Sequence, residues 1–260
     1  MYMRPETVVS EWSAVEEFLG EHSLGLLTTA IPLAGQATLQ ASHLPFLFLP
    51  PGTPPPVAES VGTTSNNSVD GTWNSGPDDT LDLGRLQCHL ARSNPQAKAL
   101  LSLSAPEEVL VVFSSPLNHA GYISPQWYTT TKPATAKTVP TWNYAELQVY
   151  GRILPTDSAT LAQITRALSD THERKYADQT QKAEVWSVDD APESYVRLLQ
   201  RAIVGMQIKI TKIGLKMKMS RDKGVGDREG VLEGLRGVGG EAGRVADLVE
   251  RLGPMKRAAS

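Results

Sequence analysis

At 260 residues the chain has the length for one large domain or two small ones, and 40% hydrophobic with 20% charged residues is an ordinary globular composition. A formal net charge of -3 gives no general attraction for nucleic acid, and a single cysteine, Cys88, excludes an internal disulfide and a cysteine zinc cluster. The N-terminus has no basic-plus-apolar leader and no 18-residue apolar run follows, so the expected protein is intracellular, in the cytoplasm or nucleus, with no membrane partner.

Ser10 can cap a first helix, with Trp12, Val15 and Leu19 at helical spacing and Gly20 ending it. Leu24–Ala30 and Gln40–Leu49 read as strands that form a hairpin across a turn at Pro32–Gly35. From about 50 to 82 Pro, Gly, Ser, Thr, Asn and Asp dominate; this stretch reads as a mobile insertion. Leu86–Leu90 reads as a strand carrying the apolar Cys88. Asn94 then caps, and Pro95 opens, a helix over Gln96–Leu103. Glu108–Phe113 is a buried strand. In Ala145–Leu154, Ala145, Leu147, Val149, Gly151 and Ile153 share one face.

Asp157 or Ser158 caps a helix with Leu161, Ile164 and Leu168 on one side. Pro192 opens another whose apolar stripe is Tyr195, Leu198, Leu199 and Ala202. A last long strand alternates Met206, Ile208 and Ile210 with Gln207, Lys209 and Thr211. Two tail helices, Asp227–Arg236 and Ala242–Leu252, flank a Gly237–Gly240 break. The second carries a stripe of Val245, Leu248, Val249 and Leu252 that covers the barrel or meets a partner, and Lys256–Ser260 read as frayed. Six or more strands, mostly in hairpins with helices outside, predict a mainly β, α+β fold built on a small antiparallel barrel.

The chemistry concentrates in Gly121–Arg152, which holds two of the five Trp and four of the seven Tyr. Those rings make either a wall for a flat ligand or the packing of an aromatic hairpin. FMN needs cations and hydroxyls at its phosphate, an aromatic wall, and amide groups at its pyrimidine edge. Ser124, Lys132, Lys137, Thr141, Trp142 and Asn143 supply all three classes, although both lysines also read as solvated loop charges. His89 is either a satisfied structural residue or a cofactor ligand. Arg92 suits a phosphate, a carboxylate or an exposed ion pair, and capping alone explains Asn94. Lys216, Lys218, Ser220 and Arg221 read first as a solvated strand end and second as an anion site. H-E at 172–173 lacks the second zinc-ligand histidine, Tyr176 standing there, and Gly224, Gly226 and Gly230 read as a loop entering a helix.

Y-I-S-P-Q-W-Y at 122–128, V-P-T-W-N-Y at 139–144 and Y-G-R at 150–152 resemble the PaiB family. M-Y-M-R-P at 1–5, A-S-H-L-P-F at 41–46, H-L-A-R-S-N-P-Q at 89–96, W-S-V-D-D-A-P at 186–192 and I-V-G-M-Q-I at 203–208 agree, and the likeness runs over roughly residues 1–236. The resemblance implies a six-stranded antiparallel split β-barrel of the FMN-binding type. It also implies a homodimer with FMN at the subunit interface, and a role as negative transcriptional regulator that would bring nucleic acid as a partner. No helix-turn-helix or basic recognition helix is visible to support that last point.

The domain reading is therefore a cofactor-binding barrel over 1–236 and a helical tail over 237–260. Two alternatives accompany it. One is an FMN-dependent oxidoreductase. The other resembles the piperazate synthases, haem enzymes in which a histidine of the H-x-x-R-x-N-P element holds the iron, here His89. The segment T-T-T-K-P-A-T-A-K-T is longer than the family's, so either Lys132 or Lys137 matches its lysine.

Overall fold

A computed structural model describes residues 1–53, 74–75, 82–182 and 184–254. The strands in chain order are β1 Val8–Val9, β2 Leu24–Ala30, β3 Leu39–Pro45, β4 Leu47–Leu49, β5 Asn74–Ser75, β6 Arg85–Ala91, β7 Glu107–Ser114, β8 Tyr122–Ile123, β9 Thr141–Trp142, β10 Tyr144–Pro155 and β11 Ile203–Lys218. The helices are α1 Trp12–Glu21, α2 Pro95–Leu101, α3 Thr131–Thr135, α4 Ser158–Thr180, α5 Glu193–Arg201, α6 Val225–Val238 and α7 Gly240–Leu252.

The main sheet runs β3-β2-β7-β10-β11-β6-β4, and every pairing in it is antiparallel. Its two ends, β3 and β4, are halves of one bent strand. The expected strand over 40–49 therefore breaks at Phe46, whose N–H donates to Ser23 O at 2.8 Å. The first half pairs with β2 and the second with β6, so the sheet curls round on itself. This is the six-stranded antiparallel split barrel, with helices packed outside it. Leu27, Leu86, Cys88, Val111, Phe113, Leu147 and Val149 fill it and are wholly buried. Burial pushes the Cys88 thiol far up, which leaves it an inert core group.

β11 contains the feature that aims the rest. Tyr150 pairs with Lys212 and Gly151 with Ile210, which leaves Thr211 as an extra residue. Before this bulge Met206, Ile208 and Ile210 face the core. After it Ile213, Leu215 and Met217 do. The even-numbered Lys212, Lys216 and Lys218 consequently lie on the outer face, beside Tyr150 and Tyr144 of β10.

Several local expectations shift. α1 starts after Glu11, which makes no side-chain cap, rather than after a Ser10 cap, and Trp12 at its first position packs on Phe48 with ring centroids 6.0 Å apart. It also passes through Gly20 and closes where the His22 N–H meets Phe18 O. Asn94 caps α2 as expected, its Oδ1 accepting from Gln96 N at 2.8 Å, but the helix ends at Leu101. Asp157, not Ser158, caps α4. Most of the 50–82 insertion, and Lys256–Ser260, lie outside the described residues.

In the tail, Val245, Ala246 and Val249 of α7 join the same core, and Arg251 reaches Glu17 of α1 at 3.1 Å. α6 has glycine at every fourth position where it crosses residues 127–130. A Cβ on Gly226 would fall 2.3 Å from Thr130 Oγ1, one on Gly230 1.9 Å from Trp127 O, and one on Gly234 2.2 Å from the Trp127 ring. Only hydrogen at those positions lets the helix axis come so close. The stripe Tyr195, Leu198 and Leu199 of α5, with Ala202 at its C-cap, faces solvent.

Candidate functional site: a basic cleft at the end of the barrel

A cleft of about 640 Å³ opens where the ends of β10 and β11 meet the N-terminal segment, the 128–139 loop and the start of α6. Each contributor is brought there by a separate device. β1 pairs with β11 through Val8 and Lys216, which carries Tyr2, Arg4 and Glu6 to one wall. The Lys216 ammonium donates to Tyr2 O at 2.8 Å and lies 5.1 Å from the Tyr144 ring centroid. Lys218 donates to Thr141 Oγ1. Burial pulls its ammonium below the usual lysine range, and the neighbouring Lys216, Lys223 and Arg4 push the same way against Asp222.

The opposite wall is held by Asp227 of α6. Its Oδ1 accepts from Thr130 N at 2.8 Å and Thr131 N at 2.9 Å, and its Oδ2 from Thr131 Oγ1. Burial pushes this carboxyl up, but those hydrogen bonds outweigh it and keep it below the usual range. The charged Asp227 and the glycine ladder together fix Tyr128, which is buried with Lys223 5.3 Å from its ring centroid. Burial, with Asp222 and Asp227 nearby, raises the Tyr128 phenol, so it stays a neutral donor.

At the floor, Asn143 is 1% exposed. Its Oδ1 accepts from Ser220 Oγ at 3.1 Å, while its buried Nδ2 has no hydrogen-bond partner. Ser220 holds φ at 53°, a left-handed conformation uncommon for serine. Five cations (Arg4, Lys137, Lys216, Lys218, Lys223) face three carboxylates (Glu6, Asp222, Asp227) in the lining. Such a site favours an anionic ligand with a flat body and an acceptor edge.

Of the residues singled out in the sequence, Lys137, Thr141 and Asn143 line this cleft. Trp142 does not. It alternates away from Thr141 and Asn143, donates its indole N–H to Asn118 O, and packs edge-on to Tyr122 with centroids 5.5 Å apart. Lys132 contacts Gln126 Oε1, and Ser124 caps the 3-10 turn Pro125–Trp127 through Gln126 N at 3.2 Å.

The H-x-x-R-x-N-P element lies elsewhere. His89 pairs with Gly205 on the outer face of β6, the face that α4 covers through Leu161. Its Nδ1 is buried without a hydrogen-bond partner, and burial pulls its imidazole down toward neutrality. Arg92 donates to Arg201 O and Ile203 O, both at 3.2 Å, and Asn94 Nδ2 donates to Ser42 Oγ at 3.1 Å.

Lys216, Lys218 and Ser220 enter the cleft rather than forming a solvated strand end. The alternation K-M-K-M in 216–219, polar on one face and apolar on the other, was the signal for it. Tyr2, Arg4, Tyr144, Lys223 and Asp227 carried no local signal, since long-range pairing assembles them. No helix among the described residues is long and apolar enough to cross a membrane, and none of their His, Cys, Asp and Glu side chains cluster in a metal-binding group.

A model of the family described as "Putative FMN-binding domain" matches residues 1–212. An uncharacterized protein of Emericella nidulans is 37% identical over 273 residues, 98% of this chain and 99% of that one. The Bacillus subtilis "Protease synthase and sporulation protein PAI 2" is 30% identical over 163 residues, 62% of this chain and 70% of that one. Among solved structures, the FAD and heme binding protein from Mycobacterium smegmatis superposes at a TM-score of 0.44 and 12% identity, covering 82% of this chain and 73% of that chain.

Proposed function

The chain belongs to the PaiB family, its residues 1–212 matching the FMN-binding domain model, and from that membership we propose that its cleft binds FMN. The observation that carries this reading is the unpartnered, buried Asn143 Nδ2 lying in the same cleft as the lysines and Tyr144. A flavin has the complementary parts: a carbonyl acceptor on its pyrimidine edge, a flat ring system and a doubly charged phosphate. In this reading Lys216, Lys218 and Lys137 hold the phosphate, Tyr144 and Tyr128 flank the ring system, and Asn143 donates to the pyrimidine edge. Bound FMN would supply one- or two-electron transfer, which is the chemistry of the oxidoreductase alternative.

Barrel and cofactor site together occupy 1–236 in this proposal, with 237–260 as a helical buttress. The family resemblance adds a homodimer and a regulatory role. DNA contact would then be detected as a salt-sensitive gel shift, because neutralised phosphates release counterions. A haem reading is kept for one reason: His89 offers a neutral imidazole with an unpaired buried nitrogen. An absorption spectrum of the purified protein, followed by FMN titration with fluorescence detection, is the test. We expect flavin bands, or saturable quenching of added FMN, that weakens in Asn143→Ala. A haem Soret band lost in His89→Ala would replace this reading with the haem one. Protein that takes up neither compound would overturn both.

A further inference from the structure

Among the described residues four lysines line the basic cleft, and one differs from the rest in what holds it. Lys216 is buried, donates to the Tyr2 carbonyl and lies against the Tyr144 ring, two contacts that favour its charged form. Lys223 is placed in a similar way, 3.4 Å from an Asp222 carboxylate oxygen and 5.3 Å from the Tyr128 ring centroid. Lys137 is exposed. Lys218 is part-buried, and its Nζ contacts a hydroxyl, Thr141 Oγ1. A hydroxyl accepts from an ammonium and can equally donate to a neutral amine, so this contact survives loss of the proton. Burial first, then the neighbouring Lys216, Lys223 and Arg4, favour that loss, and Asp222 opposes it.

The surroundings of Lys218 suit a carbonyl substrate. A nucleophilic amine needs its proton off, a donor aimed at the carbonyl oxygen, and a grip on the rest of the molecule. Asn143 brings an unpartnered Nδ2 to the cleft floor, and the neutral Tyr128 phenol is a second donor in the same lining. Arg4, Lys216 and Lys223 supply the positive charge that holds a carboxylate. We propose that Lys218 is a nucleophile that forms an imine with a small 2-oxo acid held by these cations. The amine nitrogen adds to the carbonyl carbon to make the C–N bond, and the carbonyl π pair moves onto oxygen. The two amine hydrogens then leave with that oxygen as water while the C=N bond forms. One amine and one 2-oxo acid become one imine and one water, with no change of redox state.

This activity does not depend on FMN being a ligand of the cleft, and it is tested on flavin-free protein. The full chain is incubated with glyoxylate and sodium cyanoborohydride, which reduces an imine to a stable secondary amine. Peptide mass spectrometry then maps the modified lysines. Lys218 should be modified about tenfold faster than Lys98, an exposed lysine of α2. Its rate should level off below the pH usual for a lysine amine, about 10.4. With propanal, an aldehyde that carries no carboxylate, the preference for Lys218 over Lys98 should shrink. These readings are all taken on the wild type, so the test does not rely on a variant that folds. Lys218 modified no faster than Lys98, a rate that still climbs past the usual lysine range, or an equal preference with propanal overturns the proposal.

Discussion

The two ends of β11 differ in what their outward faces present, although the strand is continuous. Near Ile203 the outward positions Gly205 and Gln207 sit beside His89 and Gln87 of β6, with α4 over Gly205. Beyond Thr211 the outward positions are Lys212, Lys216 and Lys218, the last two lining a cleft. One extra residue separates the ends. It shifts a period-two pattern by one, which keeps Ile213, Leu215 and Met217 in the core and the lysines out of it. A bulge thus aims binding side chains at no cost to the core.

Deleting Thr211 and Lys212 together should break this comparison outright. Loss of Thr211 alone would only restore regular alternation, with Ile210 inward, Lys212 outward and Ile213 inward, whereas loss of both sets Ile213 directly after Ile210 and turns Lys216 and Lys218 toward the apolar interior, where each unpaired ammonium costs several kcal/mol, against a total stability of about 5–15 kcal/mol. The expected result is no soluble, folded protein by far-UV circular dichroism, whereas Thr211→Ala remains folded. A well-folded deletion variant would show that something other than the bulge sets the register.

Gly230→Ala should come next. Its Cβ falls 1.9 Å from Trp127 O, so α6 must lift off the 127–130 segment. Overpacking of this kind costs about 1–3 kcal/mol in a urea melt and should also weaken FMN binding. Gly237→Ala, in the same helix with nothing within 4 Å, is the control, and a stability within about 1 kcal/mol of wild type is expected there.

At the cleft end, Lys218→Ala should weaken FMN about tenfold, roughly 1.4 kcal/mol for a lost charge-assisted bond. Lys209→Ala, before the bulge, should leave the affinity unchanged. Equal losses in both would dissolve the distinction between the ends.

The smallest expected effect is a pH dependence in the tail. His119 Nδ1 donates to Pro116 O and its Nε2 to Glu241 of α7, both at 2.6 Å, so the backbone carbonyl first and the carboxylate second raise its pKa. A raised histidine contributes stability that is complete below its unfolded value, about 6.5, and disappears as pH rises through the folded value. The difference in melting temperature between wild type and His119→Gln should therefore be largest below about pH 6 and vanish in alkali. A difference that is flat with pH would place the contact outside tail docking.

Much of the barrel was legible because its signals are local. Leu24–Ala30 and the inward face of Ala145–Ile153 follow from alternation, and the Asn94 and Asp157 caps from short-range hydrogen bonding. The site was legible in part. Lys137, Thr141 and Asn143 sit within one stretch whose motifs mark the family. Trp142, its neighbour, alternates to the other side, and Tyr2, Arg4 and Asp227 reach the cleft only through pairing with distant segments.

The amino-acid order by itself therefore determined the periodicities, the caps and the family motifs, each a property of neighbours within a turn or two. The tertiary structure decided the phase of β11 beyond Thr211, the contact between the α6 glycines and Trp127, and the outward stance of the α5 stripe. A bulge is defined only against the strand opposite, and a helix face only by what the rest of the chain leaves uncovered. Both are set by residues far away in sequence, where no window along the chain can register them.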